Sequence, residues 1–173
     1  MSKRATITLG AGCFWGVQAV FDLLEGVFET SVGYAGGHLA NPSYEAVCSK
    51  TTGHYEVVKI DFDEALISRK DILSIFLLIH DPTQTNGQAN DIGPQYLSVI
   101  FATSEEKNEV SEYLAQAQSN YNRPIATKVL AHSTFYSAEE YHQHYLHKNP
   151  TGYCHINMPK VKEFLESKSF RLK

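Results

Sequence analysis

The sequence of 173 residues predicts an α+β fold, a two-layer sandwich with a ferredoxin-like core. Apolar residues alternate along some short segments, as in strands, and recur at helical spacing along others. These segments follow the order strand, helix, strand, then strand, helix, strand, helix, strand. The chain contains no internal repeat, linker or low-complexity tract. We therefore expect a single catalytic domain over residues 1–173, with residues 158–173 as a C-terminal tail helix.

Two strands enclose a helix at the start of the chain. Residues 5–9 form a short apolar run typical of a strand, and residues 28–34 alternate until a pair of glycines ends them. Residues 17–24 between them carry apolar side chains at helical spacing. Residues 55–62 alternate again, and Glu56 begins their apolar face. This carboxylate is therefore carried toward the core, where desolvation raises its pKa.

The middle of the chain contains a long polar loop between a helix and a strand. Residues 68–79 predict an amphipathic helix with its own first serine as N-cap. Residues 80–94 are rich in Asp, Asn, Gln, Gly and Pro, and a loop of this length usually has a function. Residues 96–102 predict a strand. Ser104 is expected to cap a polar amphipathic helix over residues 104–120.

The C-terminal part predicts one more strand and two helices around a coil. Residues 127–135 predict an edge strand. The sequence Ser-Ala-Glu-Glu is a capping box that opens a helix over residues 137–147. Residues 149–157, rich in Pro, Gly and Asn, predict a coil that carries a second cysteine, Cys154. Residues 159–167 predict a last short helix.

Composition excludes several classes of function. The formal net charge is −4 and no cluster of Lys or Arg occurs, so neither nucleic acid nor an anionic membrane is expected as a partner. No run approaches the roughly 20 apolar residues of a membrane span, and the short run before Cys13 does not fit a lipoprotein signal. The three cysteines, an odd number, do not form a secreted disulfide framework. We expect a reducing compartment, the cytoplasm.

Cys13 is the candidate nucleophile. It lies in Gly-Cys-Phe-Trp-Gly at the join between a predicted strand and a helix, where unpaired backbone N–H groups favour a thiolate. Phe14 and Trp15 place apolar surfaces beside the sulfur. The helix terminus supplies about 0.3–1 kcal/mol, too little to ionise a thiol of pKa about 8.5, so another group must take the proton. The alternative is a buried structural cysteine.

Six blocks of the sequence resemble the A-type peptide methionine sulfoxide reductases, in the order of that family and at similar spacings. The blocks are GCFWG (12–16), NPSYE (41–45), TGHYE (52–56), HDPTQ (80–84), NDIGPQY (90–96), and YHQHYL (141–146) with GYC (152–154). Together they cover the chain from Thr6 to Cys154. Two departures are small: Lys50 stands where the family more often has glycine, and residues 155–157 replace a glycine-rich continuation.

The resemblance implies the reduction of methionine-S-sulfoxide, free or in proteins, as repair after oxidation. Cys13 would attack the sulfur while Glu56, sharing one proton with it, protonates the oxygen and leaves a sulfenic acid. Cys154 would condense with this acid to a disulfide, which thioredoxin reduces. Cys48 is expected to be a packing residue. Neither metal nor cofactor is required, because the sulfurs carry the electrons, and we expect a monomer.

The resemblance also assigns roles to five further residues. Tyr44 and Tyr96 would direct hydroxyls at the sulfoxide oxygen. Asp91 would orient a water molecule or a substrate amide, and Phe14 and Trp15 would receive the methyl group. Taken alone, each of the 10 tyrosines is typical of packing, an aspartate before Gly-Pro of a turn, and an aromatic pair of a core.

Two other classes of function stay open from the residues alone. A cysteine hydrolase would pair Cys13 with a histidine base, His54 or His132, and would need no second cysteine. A zinc-binding module would use the histidine-rich segment near the C-terminus, although no Cys-x-x-Cys accompanies it. Its candidate ligands are His142, His144, His147, Cys154 and His155.

Overall fold

The computed structural model describes residues 3–173, so residues 1 and 2 of the predicted domain lie outside the described residues. The strands are β1 (Arg4–Gly10), β2 (Val27–Ala35), β3 (Tyr55–Asp63), β4 (Gly87–Gln88), β5 (Asp91–Ile92), β6 (Val99–Ala102), β7 (Lys128–Ala131) and β8 (Tyr136–Ser137). The helices are α1 (Phe14–Phe21), α2 (Tyr44–Cys48), α3 (Arg69–Leu78), α4 (Lys107–Ala117), α5 (Tyr145–Lys148) and α6 (Met158–Ser167). Short 3-10 turns cover Pro94–Tyr96, Gln118–Asn120 and Glu140–His142.

A six-stranded sheet in the order β7-β6-β1-β3-β2-β8 forms the centre of the fold. Its neighbouring strands are antiparallel, except that β6 and β7 run parallel. β4 and β5 form a separate two-stranded ribbon within the long loop. The fold is therefore α+β, as predicted, and its central sheet is mostly antiparallel. Within residues 3–173 no helix has the length and hydropathy needed to span a membrane.

The main core lies between one face of the sheet and the helices, and β3 shows how the sequence places it. Val58, Ile60 and Phe62 point into the main core, whereas Val57 joins a smaller cluster with residues of β2 and β6. This is the predicted alternation, since successive side chains of a strand point to opposite faces. Burying each of these side chains contributes about 1.5–3 kcal/mol. Glu56 has the same phase as Val58 and therefore also points inward.

Two element boundaries near the expected site differ from the prediction. α1 begins and ends three residues before the predicted range 17–24, because Cys13 already acts as its N-cap. β6 begins three residues after the start of the predicted range 96–102. Pro94 opens a 3-10 turn that contains Tyr96, and a proline at the first helical position favours such a turn. Both boundaries differ because a residue that caps a helix or opens a turn lies directly beside an apolar run.

Two further elements are shorter than predicted. α4 begins after the start of the predicted range 104–120, because residues 104–106 form a turn and Glu106 is the N-cap. Thr103, and not Ser104, accepts the backbone N–H of Glu106 in this turn. The last three predicted residues form a 3-10 turn instead of α-helix. The edge strand predicted over residues 127–135 is reduced to β7, which does lie at one edge of the sheet.

The capping box and helix predicted over residues 137–147 are wrong. The segment starts as β8, passes through a 3-10 turn, and reaches His144 in a left-handed conformation before the four-residue helix α5. Glu139 binds two other elements: its carboxylate accepts the Tyr34 hydroxyl at 3.0 Å and the Tyr44 N–H at 2.9 Å. Contacts with distant residues therefore override the local helix signal.

Candidate active site

Cys13 caps the N-terminus of α1, directly after β1, and is 8% exposed. Gly12 precedes it with φ of 94°, a conformation that only glycine adopts readily, so the chain turns sharply there. The first N–H groups of a helix have no partner within it. Here the Phe14 N–H donates to Oε1 of Glu56 at 3.3 Å, and the Trp15 N–H lies close enough to the Cys13 sulfur to lower the pKa of its thiol. One helix terminus thus holds both the thiol and the carboxyl group.

Glu56 is a buried carboxyl group with one unused oxygen. The residue is 1% exposed, and within the described residues its Oε2 has no hydrogen-bond partner. Burial raises the pKa of Glu56 to about 8. The Phe14 N–H opposes this rise, and the Asp91 charge adds to it. The carboxyl group is therefore mostly protonated at neutral pH, as the strand alternation predicts.

Cys13 is a thiol in this structure. Burial, and after it the Glu56 charge, raises the pKa of Cys13 far above its ordinary value, although the Trp15 N–H opposes this. The shared proton between Cys13 and Glu56 stays a prediction, and in the free site burial favours the protonated form of both groups. A helix terminus worth at most about 1 kcal/mol is too weak to reverse that.

Tyr44 and Tyr96 lie around the same carboxyl group. Burial, the Cys48 hydrogen bond and the Glu56 charge raise the pKa of Tyr44, whose hydroxyl lies within hydrogen-bonding reach of the Cys48 sulfur. Burial raises the pKa of Tyr96, and the charges of Glu56, Cys48 and Cys13 add to it. Both hydroxyls therefore stay protonated donors. Cys48, predicted to be a packing residue, lies beside these two hydroxyls.

Asp91 begins β5, on the side of the site formed by the long loop. Its carboxylate accepts a hydrogen bond from the Tyr153 hydroxyl at 2.8 Å. Burial, this bond and the charge of Asp91 raise the pKa of Tyr153 to about 12. Sequence reasoning missed Tyr153, which links the long loop to the coil of Cys154; its position directly before that cysteine was the one available signal.

Phe14 and Trp15 form an apolar wall with His142. The Phe14 ring lies 5.8 Å from Tyr34 and 5.3 Å from His142, centre to centre. Trp15 stacks on Tyr145 with 3.9 Å between ring centres, and its Nε1 donates to Nδ1 of His142 at 3.0 Å. Burial lowers the pKa of His142, so its ring is neutral and accepts this bond. Sequence reasoning missed this role of His142.

Cys154 lies half-buried between α5 and α6, and its thiol donates to the carbonyl oxygen of Ile156 at 3.5 Å. A Cβ atom added at Gly16 would lie 2.7 Å from the Cys154 sulfur, so this sulfur packs directly on α1, one turn from Cys13. All three cysteines are free thiols. A groove of about 490 Å³ borders Cys154 on the other side. Its walls include Trp15, Ala19, Leu23, Leu146, Met158 and Cys154.

Neither histidine nominated for a cysteine hydrolase is placed as a base. Nδ1 of His54 accepts the Gly37 N–H at 3.1 Å, and its Nε2 donates to the Leu39 carbonyl at 2.6 Å. His132 is exposed beyond β7, at the edge of the sheet. His54 therefore stabilises a loop, and the hydrolase alternative lacks its general base.

Two of the histidines nominated for zinc, His144 and His155, bind other groups. His144 pairs with Asp22 at 2.8 Å, and Nε2 of His155 donates to the Ala11 carbonyl at 2.9 Å. Across the described part of the chain, no three His, Cys, Asp or Glu side chains are grouped as metal ligands. The histidine-rich segment instead connects α5 and the coil to α1 and β1.

Comparison with known proteins shows the family of this chain. The family model described as peptide methionine sulfoxide reductase matches residues 5–173. The peptide methionine sulfoxide reductase MsrA of Clostridium botulinum (strain Kyoto / Type A2) is 50% identical over 153 residues, 88% of this chain and 98% of the relative.

Two solved structures are also similar to this chain. Methionine sulfoxide reductase A of Corynebacterium diphtheriae matches with a TM-score of 0.83 and 35% identity, over 87% of this chain and 77% of that chain. Mxr1 from Saccharomyces cerevisiae in complex with Trx2 matches with a TM-score of 0.58 and 26% identity, over 83% of this chain and 85% of that chain. The chain belongs to the peptide methionine sulfoxide reductase family.

Proposed function

We propose that this chain is a peptide-methionine (S)-S-oxide reductase, which reduces methionine-S-sulfoxide, free or in proteins, and is recycled by thioredoxin. The observation that carries this proposal is the protonated Glu56 carboxyl group, buried beside the Cys13 thiol with one oxygen unpartnered. Sulfoxide reduction needs a soft nucleophile and a proton donor, and both are held by the first turn of α1. Membership of the family supports the same reaction. The role is repair of protein after oxidation.

In the first step, the Cys13 sulfur attacks the sulfoxide sulfur while Glu56 donates its proton to the oxygen. The Glu56 carboxylate then takes the thiol proton. The oxygen passes to Cys13, which becomes a sulfenic acid, and methionine leaves; the substrate gains the two electrons that Cys13 loses. Because Cys13 starts as a buried thiol, this proton transfer replaces a preformed thiolate.

The surrounding residues bind and orient the substrate in this proposal. Phe14 and Trp15 receive the methyl group on their apolar wall. Tyr44 and Tyr96 donate hydroxyls to the oxygen as charge develops. The Tyr44 hydroxyl must turn away from Cys48 to do so. Asp91, held by Tyr153, orients a water molecule or the substrate amide.

In the second step, the Cys154 sulfur attacks the sulfenic sulfur of Cys13, a disulfide forms and water is released. A reductant then opens this disulfide. Cys154 is more exposed than Cys13 and forms part of the wall of the groove, so an external dithiol meets it first. Thioredoxin is the proposed reductant, supported by the similarity to Mxr1, whose complex with Trx2 is known.

Replacing Cys154 by serine is expected to separate the two steps. One equivalent of methionine per enzyme should still form, because the first step uses only Cys13 and Glu56, and the trapped sulfenic acid should react with a dimedone-type probe. Turnover with thioredoxin should stop. Mass spectrometry of the wild type after substrate should show a link between Cys13 and Cys154.

Cys48→Ser is the matched control, because it also removes one half-buried thiol beside the site. It should keep turnover with thioredoxin. A bridge between Cys13 and Cys48, or normal turnover in the Cys154 variant, would show that Cys154 is not the resolving cysteine.

The rate of the first step should fall as pH rises above about 8, where Glu56 loses its proton. Reactions limited by a free thiolate behave in the opposite way and accelerate with pH. Rapid-quench measurement of methionine formed in a single turnover, between pH 6 and pH 10, decides between the two. A rate that rises steadily through this range would remove Glu56 as the acid.

The proposal also includes the topology of the core, the extent of the domain, the oligomeric state and the location of the enzyme. The core is ferredoxin-like, supported by the order β6-β1-β3-β2 and by α1 and α3 as its two crossovers, with a C-terminal coil that carries the second cysteine. The chain is one catalytic domain over residues 1–173, with residues 158–173 as its tail. It acts as a monomer in the cytoplasm, where free thiols persist. Sedimentation of the reduced protein tests the monomer.

A further inference from the structure

The coil that carries Cys154 is anchored to α1 through a notch at Gly16. The missing Cβ of Gly16 would lie 2.7 Å from the Cys154 sulfur and 3.1 Å from Cδ1 of Ile156. The first distance is too short for two non-bonded atoms, so the sulfur occupies space that any other residue would fill. Ile156 is 7% exposed and belongs to the main core. The coil is therefore packed on the helix at this point.

A second anchor joins the same coil to the turn before Cys13. Nε2 of His155 donates to the Ala11 carbonyl at 2.9 Å, two residues before Cys13. Burial lowers the pKa of His155, so the ring is neutral and its Nε2–H is the donor. A Cβ added at Gly12 would lie 3.0 Å from Nε2 of His155, so ring and backbone are in close contact.

The two anchors place the sulfur of Cys154 near that of Cys13. Residues three apart on a helix share a face, with Cβ atoms about 5–6 Å apart. The sulfur of Cys154 packs at Gly16, in the first turn of α1, and Cys13 caps this same turn. A disulfide needs Cβ atoms about 3.5–4.5 Å apart, and Cys154 begins that approach from its position against the first turn of α1.

We propose that Gly16 and His155 are positioning residues that hold Cys154 beside Cys13 in the reduced enzyme, so that the disulfide forms without a large movement of the coil. The inference rests on the proposed function, since it concerns the second step. In that step the Cys154 thiol loses its proton, its sulfur bonds to the Cys13 sulfur, and the hydroxyl of the sulfenic acid leaves as water. Gly16 and His155 take no part in this chemistry and act only through the position of Cys154.

The test compares Gly16→Ala and His155→Ala with the wild type in one turnover without reductant. Rapid quench should show one methionine per enzyme at an unchanged rate. Disulfide formation, followed by loss of alkylatable thiols, should be at least tenfold slower in each variant, with more dimedone-type labelling of Cys13. His155→Gln, which keeps an N–H donor, should recover part of the rate. Thr151→Ala, an exposed change in the same coil, is the matched control and should leave both rates unchanged.

Stability separates positioning from misfolding. Gly16 has helical backbone angles and alanine is the better helix former, which offsets part of the strain where its Cβ meets the coil, so Gly16→Ala should keep a single cooperative melting transition. Disulfide rates within twofold of the wild type in both variants would overturn the inference. So would slower methionine formation in the variants, which would place the two residues in the first step. Absence of methionine formation in the wild type would instead overturn the proposed function.

Discussion

Cys13→Ser is expected to abolish the reduction of methionine sulfoxide. An alcohol is a poor nucleophile toward sulfur and has no means of storing the oxidation as a disulfide. The loss should be complete both with a dithiol and in a single turnover, because no other thiol lies at the N-terminus of α1 beside Glu56. Methionine formed per enzyme, measured by chromatography, checks this prediction.

The folded state should survive that substitution. Cys13 makes no side-chain capping bond, whereas serine is a preferred N-cap residue, so stability should hold or rise by about 1 kcal/mol. Cys48→Ser is again the control for the loss of a thiol and should stay active. Retention of more than a few per cent of activity in Cys13→Ser, with a normal melting temperature, would remove Cys13 from the mechanism.

Glu56→Gln is expected to slow the first step by about 10²–10⁴, the usual contribution of acid–base catalysis. Glutamine keeps the shape and accepts the Phe14 N–H, but has no transferable proton. Substrate binding should survive, so KM should change much less than kcat. Single-turnover rapid quench measures the step directly. A rate near that of the wild type would assign Glu56 to structure alone.

The same variant should be more stable than the wild type at alkaline pH. Because the pKa of Glu56 is raised to about 8, the wild type has its full stability below the unfolded pKa near 4.5 and loses it as pH rises to 8. At about 1.4 kcal/mol for each pKa unit, the loss is about 3–5 kcal/mol. Glutamine does not ionise, so the variant avoids this loss of stability. Urea unfolding should show equal stabilities near pH 4 and a more stable variant at pH 8; the reverse order would contradict the buried, protonated carboxyl group.

Local chemistry made some elements predictable. The alternation of β3 predicted the buried position of Glu56, because Glu56 and the alternating apolar residues lie in the same strand. α3 begins where its Ser68 cap predicts, since the cap and Asp71 lie within four residues. The segment around Glu139 failed because its partners, Tyr34 and Tyr44, lie about 100 residues away along the chain. Tertiary hydrogen bonds of Glu139 outweigh the local capping signal of this segment.

The features of the site also divide into those that the local sequence indicates and those that it does not. Cys13 at a strand-to-helix turn is visible in the sequence, because the motif and the helix pattern are adjacent. The bond from Trp15 to His142 spans 127 positions and the bond from Tyr153 to Asp91 spans 62, so no local pattern indicates them. The strong desolvation of Cys13 is not visible in the sequence either, because its burial depends on packing from several elements.

The central claim is that this chain reduces the S epimer of methionine sulfoxide through Cys13. Turnover of the separated S and R epimers with a dithiol reductant tests it most directly, with methionine counted per enzyme and Cys13→Ser run beside the wild type. We expect many turnovers of the S epimer by the wild type, none of the R epimer, and none of either by the variant. Failure to reduce the S epimer, or equal reduction of both epimers, would contradict it.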